Sequence, residues 1–238
     1  MATGQQALRV LSTGAPKGGV SGCAQAWQDR TGRAVDVSFV TAPVLRERVE
    51  AGEADADVIV APVARMDRFE ADGRVLAGIR TVVGSVKAGV VIRDGAAVPD
   101  IATVESLKAA ILDAESIVYN VATSGQYIVR MMETLGVADA IRGRVTTVPN
   151  GAGVMTHLAA NALAREIGFG QLTEIRVHED RGLPVKLVGA LPAGVENVTT
   201  YCAAVLSGTA DPDAATAFVE FMGSEAGRRL CRASGLEF

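Results

Sequence analysis

Aromatic residues are scarce: one tryptophan, three tyrosines and six phenylalanines in 238 residues. A core built from this chain must rest on Val, Ala, Leu and Ile, a composition that suits buried parallel strands covered by helices. Cysteine is scarce too. Cys23, Cys202 and Cys231 are scattered, odd in number and without metal-ligand spacing, so they read as small buried apolar residues. There are two histidines. His157 falls inside a helical pattern and reads as a surface or packing residue; His178 falls in the charged stretch "RVHEDRG" and reads as a solvated loop residue. No Ser-His-Asp order, paired-carboxylate motif, Walker loop or GxGxxG stands out, so neither a metal nor a cofactor is expected. The net charge of −4 comes with no basic run, which argues against a nucleic-acid partner. No apolar stretch approaches the roughly 20 residues that span a bilayer, so the chain is not expected to be membrane-embedded. The start "MATGQQALRVL" has no apolar leader core. As it stands this implies a cytoplasmic protein, or a periplasmic one if a leader has been removed.

What is present is a regular alternation of strands and helices, with 49% apolar residues in a length that suits one large α/β domain or two small lobes. "LRVLST", "AVDVSFV" and "ADVIVAP" read as strands. Helices follow from Gly18 to Arg30, from Pro43 to Ala51, and from Pro62 toward Phe69. This order argues for a parallel sheet with right-handed crossovers. A long β-like stretch covers residues 81–93. Beyond it, "VPDIATVESLKAAIL" is a helix capped by Thr103, "SIVYN" a strand, and "TSGQYIVRMMETLGV" a helix with Thr123 or Ser124 near its cap. "GRVTTVPN" and "EIGFG" are further strands flanking the helix "AGVMTHLAANALA". After two more β-rich segments, two helices close the chain: Pro212 to Met222 and Ser224 to Ala233. The long β segments near 81–93 and 189–205 act as hinges. They divide the chain into lobe one, residues 1–82 with 195–238, and lobe two, residues 83–194. Open α/β sheets bind ligands outside the carboxyl ends of their strands, so two such sheets facing across a cleft put four strand-to-helix loops around one site.

Those loops supply the candidate residues. The first, "STGAPKGGVSG", offers Thr13, Gly14, Ala15 and Lys17. Its small residues let backbone N–H groups approach a ligand, and the helix behind it points its positive end the same way. Lys17 adds a charge or a proton-transfer group; equally, it suits an exposed position beside a tight turn. The second loop offers Thr41 and Ala42, with Thr41 as an N-cap, a ligand contact or both. The third, "NVATSGQY", offers Thr123, Ser124 and Gly125, and Tyr127 in the first turn could face either way. The fourth, "IGFGQLTE", offers Gln171, whose amide suits a carboxylate or carbonyl. In the return segment "NVTTYCAAV", alternation puts Thr199 and Tyr201 on one face, and Tyr201 is the candidate there.

Four stretches in order, "LRVLSTGAPKGGVSGCAQAWQDRTGRAVDVSF", "LRERVEAGEADADVIVAP", "EIGFGQLTEI" and "ATAFVEFMGSEAGRRLCRASGLEF", resemble the type 2 periplasmic solute-binding fold, most closely its molybdate-binding group. The resemblance implies a two-lobed α/β protein with a ligand cleft between the lobes. It also implies a small anionic ligand, oxyanion or carboxylate, and an ABC-transporter permease as partner. Two positions depart from the molybdate pattern: Thr41 stands where that group usually has serine, and Gln171 where it often has tyrosine. "IGFGQLTE" and "LPAGVENVTTY" are similar instead to aconitate-isomerase-like relatives. That similarity implies an allylic proton shift in a small unsaturated di- or tricarboxylate, with Lys17 as the proton or charge group. A third expectation is a ligand sensor without transport or catalysis.

Overall fold

A computed structural model describes residues 6–238. The first five residues of the expected lobe one lie outside it. The chain divides into two compact units: unit 1 is Met1–Val86 with Thr199–Phe238, and unit 2 is Lys87–Val198.

Unit 1 opens with β1 (Leu8–Thr13), α1 (Lys17–Thr31), β2 (Val35–Val40), α2 (Ala42–Ala51), β3 (Val58–Pro62) and α3 (Val63–Ala71). The three strands are parallel, with β1 between β2 and β3. Gly32 ends α1 in the left-handed conformation at φ 74°, where a side chain would be strained. β3 is apolar on both faces, and its period of two sends alternate residues to opposite layers. Val58 and Val60 of β3 pack with Trp27 of α1, whereas Ile59 and Ala61 pack with Leu45, Met66 and Phe69.

A long strand, β4 (Val75–Arg93), carries the chain into unit 2. There follow α4 (Val104–Asp113), β5 (Ser116–Asn120), α5 (Thr123–Thr134), the short α6 (Ala138–Ile141) with a 3-10 turn, β6 (Val145–Val148), α7 (Gly151–Ala160), β7 (Glu166–Gln171), α8 (Leu172–Asp180) and β8 (Val185–Ala190). In this unit β7 pairs antiparallel with β4 and parallel with β5, β6 continues beyond β5, and β8 lies antiparallel on β4. The core gathers Ile117, Ile128, Met131, Ile167 and Phe169 on one side, and Val118, Val154, Leu158 and Ile175 on the other.

β9 (Val198–Leu206) carries the chain back and pairs antiparallel with β3. α9 (Pro212–Gly223) and α10 (Glu225–Ala233) complete unit 1. Phe218 and Phe221 of α9 meet Trp27 at ring-centroid distances of 5.8 and 5.5 Å. These contacts place three of the chain's few aromatics in one cluster, where large rings contribute most burial per residue.

One expectation needs correction. The stretch holding His178 is helix α8 rather than a charged loop, and His178 is half-buried within it. Its many charges mask the helical pattern, but Ile175 anchors it in the core. Helix α5 starts at Thr123 behind Ala122, so Thr123 and Ser124 stand near its cap position as expected, without a side-chain capping bond. Thr103, in contrast, caps α4 as expected: its hydroxyl accepts the Ser106 N–H, in a reciprocal capping box.

Candidate functional site

The carboxyl edge of the unit 1 sheet is set by strand register. Thr13 ends β1 opposite Val40 of β2, and Pro62 ends β3 opposite Tyr201 of β9. Thr13, Thr41, Pro62 and Tyr201 are therefore neighbours along one edge, and α1, α2 and α3 all begin there. None of these three helices has a side-chain cap. The first N–H groups of a helix have no partner within it, so these helix starts keep donors and partial positive charge at the sheet edge. Thr41 sits at the cap position of α2 but makes no capping bond. Ala42 begins the helix. Gly14 turns the chain, its carbonyl accepting the Lys17 N–H at 3.1 Å, with Ala15 between them. The buried Thr13 hydroxyl lies 3.5 Å from the Val60 carbonyl, a long contact. Lys17 is exposed, and its Nζ lies 5.0 Å from the centroid of the Phe39 ring.

Within the same loop, Gly18 and Gly19 serve packing and not only ligand approach. A Cβ on Gly18 would lie 2.8 Å from the Ser234 Cβ, and one on Gly19 would lie 2.8 Å from Leu236 and 3.0 Å from the Cys231 Sγ. These glycines let α1 sit close against α10. Tyr201 is also corrected in part. It is 5% exposed and belongs to the apolar cluster of Leu8, Val60 and Val86, so its ring is core. The neighbouring Thr200 hydroxyl pairs with Ser85 at 2.8 Å.

In unit 2 the equivalent edge is built around a residue that the sequence did not single out. Asn120 ends β5, is buried, and accepts the Ala122 N–H on its Oδ1 at 2.9 Å while its Nδ2 donates to the Ser124 hydroxyl at 3.0 Å. This Asx turn fixes the entry to α5 and ties down Ser124. The signal available in the sequence was an Asn two residues ahead of the helix start. Thr123 is the first residue of α5, which has no side-chain cap. Gly125 is required by space: a Cβ there would lie 1.4 Å from the Asn120 carbonyl oxygen. Tyr127 faces the return segment, its hydroxyl 2.9 Å from the Val195 carbonyl and 3.0 Å from that of Glu196.

Gln171 ends β7 opposite Ala88 and takes the cap position of α8 without making a capping bond. It is 5% exposed, and its Oε1 has no hydrogen-bond partner among the described residues. A buried amide oxygen without a partner is costly, about 1–3 kcal/mol, and calls for a function. The neighbouring α7 start differs. Asn150 caps it by accepting the Gly153 N–H, and the Glu174 carboxylate abuts Gly151.

Elsewhere the polar groups are structural. The His157 Nε2 and the Asn161 amide both lie 3.1 Å from Oε1 of the buried Glu166. A cavity of about 390 Å³ in unit 2 lies at the amino ends of β5 and β7, lined by Val98, Ala110, Ile167, Asp100, Asp113 and Glu166 among others. Its carboxylates suit it poorly to an anion. Among the described residues no helix is long and apolar enough to cross a membrane, and no group of three or more His, Cys, Asp or Glu could hold a metal ion.

Each unit is thus an α/β sheet of mixed strand direction with uncapped helix starts at its carboxyl edge. Solved structures agree on the fold. The periplasmic molybdate-binding protein of Azotobacter vinelandii matches with a TM-score of 0.77 at 19% identity, over 97% of this chain and 99% of its own. The tungstate ABC transporter protein of Geobacter sulfurreducens matches with a TM-score of 0.72 at 14% identity, over 96% and 98%. Among characterised sequences, aconitate isomerase of a Pseudomonas species is 26% identical over 236 residues, 97% of this chain and 87% of the isomerase. The bacterial extracellular solute-binding protein family matches residues 8–237, and the chain belongs to that family.

Proposed function

We propose that this protein binds a small organic anion of the di- or tricarboxylate class, as a solute-binding protein whose partner is an ABC-transporter permease. One observation carries the reading. The helices that begin where the sequence placed its candidates, α1, α2, α5 and α8, have no side-chain cap, whereas α4, α7, α9 and α10 are each capped by Thr103, Asn150, Asp211 and Ser224. The uncapped starts of α1, α2, α5 and α8 leave N–H donors where an anion can meet them; α3 and the short α6, which carry no candidate, are uncapped as well. Thr13, Gly14, Ala15, Lys17, Thr41 and Ala42 supply donors and one charge in unit 1. Thr123, Ser124, Gly125 and Gln171 supply them in unit 2. The unpartnered Gln171 amide supports a carboxyl group over a tetrahedral oxyanion: it presents an acceptor as oriented and a donor when turned, so it meets a carboxyl ionised or protonated.

The similarity to aconitate isomerase supports a second reading on the same site, an allylic proton shift in an unsaturated di- or tricarboxylate. In that reading Lys17 takes the proton or holds the enolate-like charge, while the helix starts orient the carboxylates.

A thermal-shift series with molybdate, tungstate, sulfate, citrate, cis-aconitate and trans-aconitate tests the class. A ligand at 100 times its Kd adds about 2.7 kcal/mol of stability. Stabilisation by the carboxylates and not by molybdate or tungstate is the expected result, and the reverse pattern defeats it. Proton NMR of the stabilising acid with the protein in D₂O then separates binding from turnover. Deuterium incorporation or interconversion of cis and trans forms identifies the isomerase; an unchanged spectrum identifies the binding protein.

A further inference from the structure

We propose that Cys23 and Cys231 form an intramolecular disulfide that ties the first helix of unit 1 to its last, leaving Cys202 as the free thiol. The two sulfurs lie 4.0 Å apart. Cys23 is in α1 and Cys231 in α10, and both residues are fully buried. The helix backbones are already close. A Cβ on Gly19 would lie 3.2 Å from the Cys231 Cα, and Gly18 and Gly22 border the same face. Glycines of α1 thus line the contact with α10, which brings the two cysteines to the separation a disulfide bridges. Going from 4.0 Å to a bond of about 2.05 Å requires roughly 2 Å of closure, within reach of side-chain rotation.

The surroundings suit the oxidised form. The pair sits in an apolar cluster with Val20 and Leu236, and the Cys23 Sγ also lies 3.7 Å from the Gly227 carbonyl. Both side chains are fully buried, so an entering oxidant has no ready access to them in the folded protein. The bond therefore forms during folding, while α10 is still docking on α1. Two S–H bonds break and one S–S bond forms. The two electrons and two protons pass to a thiol–disulfide oxidant, oxidised glutathione or a disulfide oxidase, which is reduced to its thiols. The family's description as extracellular solute-binding proteins fits a compartment that holds such oxidants. Cys202 belongs to a different cluster, with Ile59 and Phe69, and burial pushes its thiol up to about 11. It is neither near the pair nor activated.

The crosslink closes a segment of 208 residues, long enough to restrict the unfolded chain strongly. It also anchors α1, whose first residue is Lys17.

The experiment uses the full chain, denatured and refolded in a glutathione redox buffer, then unfolded and alkylated without reductant. The expected product carries one alkyl adduct, weighs 2 Da less than the reduced chain plus that one adduct, and yields on proteolysis one linked peptide pair containing Cys23 and Cys231. Cys202→Ala should carry no adduct and keep the link. The double variant Cys23→Ala, Cys231→Ala should carry one adduct and no link. Reduction should lower the melting temperature of the wild type by about 5–15 °C and leave that of the double variant unchanged. Three adducts per refolded chain, a link through Cys202, or a link between two chains each overturns the proposal.

Discussion

The Lys17 ammonium lies over the face of Phe39, 5.0 Å from the ring centroid. The ring face attracts the charge, and so holds at the carboxyl edge of β1 and β2 a cation that would otherwise wave in solvent. Lys17→Ala should weaken carboxylate binding about tenfold, ~1.4 kcal/mol, as measured by titration calorimetry. Phe39→Leu should give a smaller loss by freeing the ammonium. Lys17→Arg should keep most of the affinity, and under the isomerase reading it should lose turnover. Full affinity in Lys17→Ala would return the loop to a plain turn.

Gln171 combines burial with an unpartnered oxygen. Gln171→Leu removes the orphan while keeping similar bulk, so chemical denaturation should show stability unchanged or raised by up to about 1 kcal/mol. Ligand affinity should fall at least tenfold in the same protein. A variant that loses stability and keeps affinity would show that the amide serves the fold.

Gly125 has no room for a methyl group against the Asn120 carbonyl. Gly125→Ala should cost about 3 kcal/mol and lower the melting temperature by about 10 °C, because the start of α5 must move off the strand end. Gly143→Ala is the control, since nothing lies near a Cβ there, and it should melt like the wild type.

Asp211 carries the acid-sensitive contact. The Arg33 guanidinium, 2.7 Å away, and the Ala214 N–H hold its carboxyl below the usual carboxylate range. A carboxyl depressed in the folded state contributes stability fully above its unfolded pKa, about 3.9, and loses that contribution as pH falls through the folded value. Melting temperatures measured from pH 7 down to pH 3 should therefore drop more steeply below about pH 4 in the wild type than in Asp211→Asn. Parallel curves would remove this pair as a contributor.

The alternation of strands and helices, the parallel order of β1, β2 and β3, and the placement of candidates at strand ends were all readable from local pattern. A buried strand needs a run of Val and Ile, and a helix start is marked by Pro43 or Thr103 whatever lies around it. Distant partners decided the rest. Whether Thr41 caps its helix, whether Gly18 faces a ligand or α10, and whether Tyr201 faces solvent or core depend on residues far away in sequence. The sharpest case is the cysteines. In sequence, 208 positions separate Cys23 from Cys231, and nothing local distinguishes them from Cys202. The packing of the last helix on the first brings their sulfurs face to face, because Gly18, Gly19 and Gly22 of α1 let the backbones approach.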